Sequence, residues 1–384
     1  MKLSKSIFPF LLVFLISLAC NALQPATPTA TTVPPTFTGL PPKATAIPSP
    51  TAEPVSQASY PSRIVYSLFD TDGIYIHTVD ADGQNDIRLT GNDCLGALPS
   101  WSVDGSLIAY YCYDRDKVTL WVMKQDGSDA HSVTELPDFV LLSWSPDNQH
   151  IAYYAPQPDG GENDIYVLDI SSAETVNLTK DLPVWDAFPD WSPDGSLIAF
   201  VSDRAPGGKA LDDVWVMKPD GSNLVNLTNN GEDWEDHYPA WSPDGKSIAF
   251  FRSSFFEPSE GGPAGLWAMD PDGKNQHLVT AINGFRASGA PVWSPDGQSL
   301  AYTFELDGVE NVWVVSAAGG DPVNVSDMPG SKSHVSWSPD SQALIFTNDN
   351  DADDTLQIYL ALPDGSDTHL LLEHERYAFG DWAP

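Results

Sequence analysis

Trp241-Ser242-Pro243-Asp244-Gly245-Lys246-Ser247-Ile248-Ala249-Phe250 is one of six near-copies of a single pattern. The others begin at Trp101, Trp144, Trp191, Trp293 and Trp337, and a truncated seventh, Asp381-Trp382-Ala383-Pro384, ends the sequence. Neighbouring copies stand 43 residues apart at the closest (Trp101 to Trp144) and 52 at the widest (Trp241 to Trp293). The proline presets φ, the aspartate bonds back to nearby backbone and the glycine accepts positive φ, so Ser-Pro-Asp-Gly predicts a tight reversal between two strands. The Ile-Ala-Phe run beyond it is apolar on both faces, as a strand sandwiched between neighbouring sheets requires.

The segments between copies repeat too. A second strand ends in another Asp-Gly turn, as at Asp126-Gly127, Asp220-Gly221 and Asp272-Gly273. A third ends in Leu-Thr or a variant, as at Asn177-Leu178-Thr179, Asn226-Leu227-Thr228 and Asn324-Val325-Ser326. Four short strands in a period of about 40–50 residues form a β-propeller blade. The first unit starts at Ile64-Val65-Tyr66 without a tryptophan strand of its own, and Phe379-Gly380-Asp381-Trp382 supplies one with nothing after it. The expected fold is therefore all-β: a seven-bladed propeller of four-stranded blades, closed by pairing of the N-terminal strands with the C-terminal strand.

Three segments are expected: a signal at 1–20, a disordered linker at 21–62 and the propeller at 63–384. Lys2 and Lys5 precede an apolar run from Ile7 to Ala19, too short to span a bilayer and suited to a secretory signal. Residues 21–62 are rich in Pro, Thr and Ala without apolar periodicity, so they cannot offset their ordering entropy. Cysteine usage fits an oxidising compartment. Numbered from its turn, Trp101 faces about Ser106 and Cys112 faces about residue 95, which brings Cys94 within reach of a disulfide; two free thiols are the alternative.

The repeats Trp-Ser-Pro-Asp-Gly resemble the TolB-type propeller family, also found as the propeller half of prolyl-oligopeptidase-like enzymes and of oligogalacturonate lyases. The resemblance covers essentially all of 63–384 and implies the propeller fold; the fold itself hosts binding modules, lids and lyases alike. The family's namesake has six blades behind a separate N-terminal domain, whereas this chain reads as seven behind a linker. Ser17-Leu18-Ala19-Cys20 similarly resembles a bacterial lipobox, with Ser17 where Leu is usual, and implies lipidation at Cys20; cleavage near Ala22 to a freely secreted chain is the plainer alternative.

The formal charge is −35, part of it turn chemistry, and such a field opposes nucleic acid and anionic lipid surfaces. The face opposite the Ser-Pro-Asp-Gly turns carries the varied loops. Segments entering the channel there carry Trp185 and Asp186, then Asp233, Trp234, Glu235, Asp236 and His237, then Arg286, Lys332, His334 and Tyr377. Aromatic rings mixed with carboxylates suit a carbohydrate or a basic peptide; tryptophans that merely pack between blades are the plainer reading.

No Gly-x-Ser-x-Gly elbow is present, which excludes the oligopeptidase-like serine mechanism. A lyase would need several metal-binding histidines, and His237, His334 and His374 show no close spacing. Asp349-Asn350-Asp351-Ala352-Asp353-Asp354 alternates oxygen ligands as calcium loops do, but lacks their Gly and distal Glu. The expectation is an extracytoplasmic, lipid-anchored, monomeric propeller that binds a protein or cell-wall carbohydrate partner, with no catalytic residue, no cofactor and no nucleic acid. Calcium binding, a metal-dependent oligogalacturonate-type polysaccharide lyase and a structural role in an envelope complex are the alternatives.

Overall fold

The computed structural model describes residues 63–384, apart from 71–72, 92–94, 115–116, 138–139, 158–159, 181–183, 205–210, 230–233, 255–262, 283–288, 307, 351–354 and 373–376. The expected signal segment with Cys20 and the linker lie outside the described residues.

The described strands form seven four-stranded antiparallel sheets. The Trp-ending strand of each sheet is an edge strand, and these strands contact one another in turn from blade 3 through blades 4, 5, 6, 7 and 1 to blade 2, forming the inner side of the ring. They are Tyr377–Trp382 (blade 1), Leu95–Trp101 (blade 2), Ser143–Trp144 (blade 3), Asp186–Trp191 (blade 4), Glu235–Trp241 (blade 5), Val292–Trp293 (blade 6) and Ser331–Trp337 (blade 7). In blade 5 the chain continues outward through Ile248–Ser253, Gly265–Met269 and His277–Ala281. Blade 1 is shared as expected: Tyr377–Trp382 pairs with Arg63–Phe69, with Ile64 opposite Trp382, before Ile74–Asp80 and Ile87–Arg88 complete it.

The repeated residues have repeated tasks. Ser242 Oγ donates to Asp244 Oδ1 (2.9 Å) and accepts the Ser247 N–H (2.9 Å), while Gly245, at φ 67°, donates its N–H to Ser242 O (2.9 Å). The same Ser–Asp bond recurs at Ser102, Ser192, Ser294 and Ser338. In the outer strands, Thr228 Oγ1 accepts the Val214 N–H (3.0 Å) and Asn226 Nδ2 donates to Asp213 Oδ2 (2.8 Å). Thr179 with Asn177 repeats this arrangement in blade 3. The recurring Asn-Leu-Thr thus ties the outermost strand to its neighbour. Its leucine carbonyl also explains the second glycine: a Cβ on Gly273 would lie 2.6 Å from Leu227 O of the preceding blade.

Cores form between sheets as well as within them. Ala199, Val214, Val216 and Leu227 of blade 4 pack with Trp241, Ile248 and Phe250 of blade 5. Phe250 is fully buried, a contribution of roughly 1.5–3 kcal/mol.

One register expectation is corrected. Trp101 pairs with Ile108, not Ser106, because Ser102 and Leu107 remain bonded to each other inside the turn (2.9 Å). An irregularity between Ala97 and Ser100 recovers one residue, so Cys112 pairs with Gly96. Cys112 is buried and disulfide-bonded; Cys94 lies outside the described residues.

Candidate functional site

Five inner strands, those of blades 1, 2, 4, 5 and 7, slip at the same place, between the fourth residue before the tryptophan and the one immediately before it. Leu98, Phe188, Tyr238 and His334 sit there at φ 50°, 55°, 55° and 52°, inside ladder irregularities in blades 2, 4, 5 and 7. Left-handed backbone costs a residue with a Cβ roughly 1–2 kcal/mol, so the surrounding ladder must enforce it.

In blades 4 and 5 this geometry brings aromatic rings together across blade boundaries. Phe188 and Tyr238 have ring centroids 4.3 Å apart. Tyr154 of blade 3 meets Phe188 edge-on at 5.1 Å, and Trp185 does so at 5.7 Å. These four rings from three adjacent blades form one aromatic shelf. Trp185 is half-buried and anchored through its backbone N–H to Asp203 Oδ1 (2.8 Å). Tyr154 and Trp234, by contrast, are buried.

The carboxylates divide into two groups. Asp186 and Asp236 are fully buried and hold arginines. Arg204 donates to Asp186 Oδ2 (2.5 Å) and to Ser202 Oγ (2.7 Å). Arg252 grips both oxygens of Asp236 (2.8 and 2.9 Å) and also bonds Gln276 (3.0 Å). Burial pushes both carboxyls up, and the paired guanidinium opposes it in each case.

Glu235, Asp212 and Asp203 are instead only partly buried, near the shelf. His237 lies between two of them, Nδ1 3.2 Å from Asp212 and Nε2 3.4 Å from Glu235. Burial opposes its charge, but the two carboxylates outweigh that and lift it to about 9, so both ring nitrogens donate. Burial raises Asp203, and the like charges of Asp212, Asp186 and Glu162 add to it. Near the shelf, negative charge is in surplus.

The other expected residues lie elsewhere. His334 belongs to blade 7, with Nδ1 2.9 Å from Ser333 Oγ, and burial lowers it to about 4. Lys332 is fully buried, its ammonium donating to Gly330 O (2.7 Å) and Met328 O, and burial lowers it to about 8. Tyr377 begins the inner strand of blade 1, opposite Leu68. Asp233, Arg286, His374 and the acidic residues Asp351, Asp353 and Asp354 fall outside the described residues. Sequence reasoning missed Tyr154, Phe188, Asp203 and Asp212 as members of one group; the Asp212-Asp213 doublet before Val214 was the available signal.

A cleft of about 350 Å3 opens on the opposite, turn-bearing face, lined by Lys246, His277, Trp293 and Asp296 among others. Among the described residues no three His, Cys, Asp or Glu side chains converge as a metal ion would require, and no helix is long and apolar enough to cross a membrane.

Comparison with known proteins agrees with this architecture. The family model described as the TolB beta propeller domain matches residues 55–280 and 239–384. An uncharacterized protein of Agrobacterium fabrum is 30% identical over 209 residues, 52% of this chain and 67% of that protein. Among solved structures, TolB from Acinetobacter baumannii is similar with a TM-score of 0.52 and 19% identity, over 85% of this chain and 68% of that one. An oligogalacturonate lyase in complex with manganese gives 0.62 and 16%, over 79% and 87%. At these identities the two solved structures speak for the fold alone. The family match spans nearly the whole propeller, and the chain belongs to the TolB β-propeller family.

Proposed function

We propose that this protein is an exported recognition head that binds a protein or carbohydrate partner at the shelf of blades 3, 4 and 5, without catalysis. The observation that carries the reading is the convergence of Tyr154, Trp185, Phe188 and Tyr238 beside Asp203, Asp212 and Glu235. Aromatic faces offer large apolar area at low entropic cost, and carboxylates accept from sugar hydroxyls or ammonium groups. Cys20 would carry the lipid, and residues 21–62 would tether the head with a reach of roughly 100 Å.

The manganese of the lyase relative prompts a test of fit. Both nitrogens of His237 are engaged by carboxylates, and His334 lies two blades away beside Ser333. These residues do not fit a shared metal.

The test is a binding panel on the purified protein, using a lysine-rich decapeptide and the neutral oligosaccharide cellohexaose. The proposal expects saturable binding of one probe, without turnover, that a Trp185→Ala, Tyr238→Gly variant loses. Binding of neither probe, or binding indifferent to that variant, counts against it.

A further inference from the structure

Asp190 and Asp381 each stand one residue before an inner-strand tryptophan, in blades 4 and 1, and each joins three blades. Asp190 Oδ2 accepts the N–H of Trp241 in blade 5 (2.8 Å), and Oδ1 accepts the hydroxyl of Ser143 in blade 3 (3.2 Å). Asp381 Oδ2 accepts the N–H of Trp101 in blade 2 (2.9 Å), and Oδ1 accepts the hydroxyl of Ser336 in blade 7 (2.9 Å). In both cases the same serine accepts the N–H of the tryptophan after the aspartate, at 3.2 Å for Trp191 and 3.0 Å for Trp382. Blades 5 and 6 carry Ala240 and Val292 at this position. Their carbonyls instead accept indole N–H groups, from Trp293 and Trp337 respectively (3.1 Å each).

The blades that Asp190 joins are the three that build the aromatic shelf. Tyr154 comes from blade 3, Trp185 and Phe188 from blade 4, His237 and Tyr238 from blade 5. We propose that Asp190 is a positioning residue for the shelf, holding the inner strands of blades 3, 4 and 5 together, and that Asp381 performs the same service for ring closure. Its functional consequence rests on the reading of the shelf as the binding surface; the three-blade connection itself does not.

The groups around Asp190 leave it uncompensated. Blade 3 presents Ser143 and Trp144, blade 5 presents Ala240 and Trp241, and the adjacent strand of its own blade places Ala199 opposite. None of these is charged. Burial accordingly raises Asp190 to about 6, and the Trp241 and Ser143 bonds only partly offset it. An acid whose folded value is raised contributes stability below its unfolded value, and that contribution is lost as pH rises through about 6. The connection is therefore easier to open at pH 8 than at pH 5.

Hydrogen exchange on the full chain at both pH values, corrected for intrinsic rates, tests this without any ligand. The proteins compared are wild type, Asp190→Ala, Asp190→Asn and Asp381→Ala. Asp190→Ala is expected to speed exchange in 184–191 and 234–241 by roughly tenfold and to leave 95–101 and 331–337 nearly unchanged. Asp381→Ala should give the converse. Asp190→Asn keeps an acceptor for Trp241, so it should retain protection in blades 4 and 5 while losing their difference between pH 5 and pH 8. Uniform loosening by Asp190→Ala, or a pH difference that survives in Asp190→Asn, overturns the proposal. If the alanine variant does not fold, the pH profile of the asparagine variant decides.

Discussion

Phe188 and Tyr238 pack with ring centroids 4.3 Å apart and planes tilted by 44° across a blade boundary, and both do so from backbone with φ near 55°. The strain and the contact have one origin, the slip in the ladder three residues before each tryptophan. That separates two roles of Tyr238, backbone and ring. Tyr238→Ala loses the ring and keeps the strain, whereas Tyr238→Gly loses the ring and relieves the strain. The glycine variant should be the more stable of the two by about 1 kcal/mol, read from urea unfolding.

Asp236 and Arg252 form a buried pair with two bonds. Removing one partner leaves the other charged in a dry site, so Arg252→Met should cost about 3–5 kcal/mol. The double variant Asp236→Leu, Arg252→Met should recover most of that loss. A double variant as unstable as the single one would show that the pair does more than neutralise itself.

His237 gives the structure a dependence on alkaline pH. Its folded value, about 9, lies above the ordinary 6.5 because Asp212 and Glu235 outweigh the opposing burial. A raised histidine contributes stability that is fully present below about 6.5 and lost as pH rises through about 9. Thermal unfolding between pH 7 and pH 10 should show that loss in wild type and a flatter profile in His237→Gln.

The fold was legible because its signals are local. Ser242, Asp244 and Gly245 satisfy one another within a single turn, and the missing inner strand of blade 1 could be matched to the end of the chain. The site was legible only in outline. Asp186 and Asp236 look like any other acids in a channel-entering segment, yet their arginines come from the far side of a hairpin, 18 and 16 residues later. Which acids are taken by arginine depends on register, and the slip at Phe188 and Tyr238 shifts that register. The shelf likewise joins Tyr154 to Phe188 across blades, a contact that blade geometry alone creates.

Cys112 pairs with Gly96 and is disulfide-bonded, and in the sequence Cys94 precedes Gly96 by two residues. A bridge to Cys94 would close a short loop, and Cys112→Ser should then cost about 3 kcal/mol. Thiol titration under denaturing, non-reducing conditions should find neither cysteine free, and two free thiols would refute the bridge.

The most direct measurement is the affinity of whichever probe binds, lysine-rich peptide or cellohexaose, for wild type, Tyr238→Gly and His277→Ala. The last variant alters the cleft on the opposite face. Removing an aromatic anchor costs about 2 kcal/mol, so Tyr238→Gly should bind about 30-fold more weakly, with His277→Ala unchanged. Binding that survives in Tyr238→Gly and fails in His277→Ala would contradict the account and move recognition to the turn-bearing face.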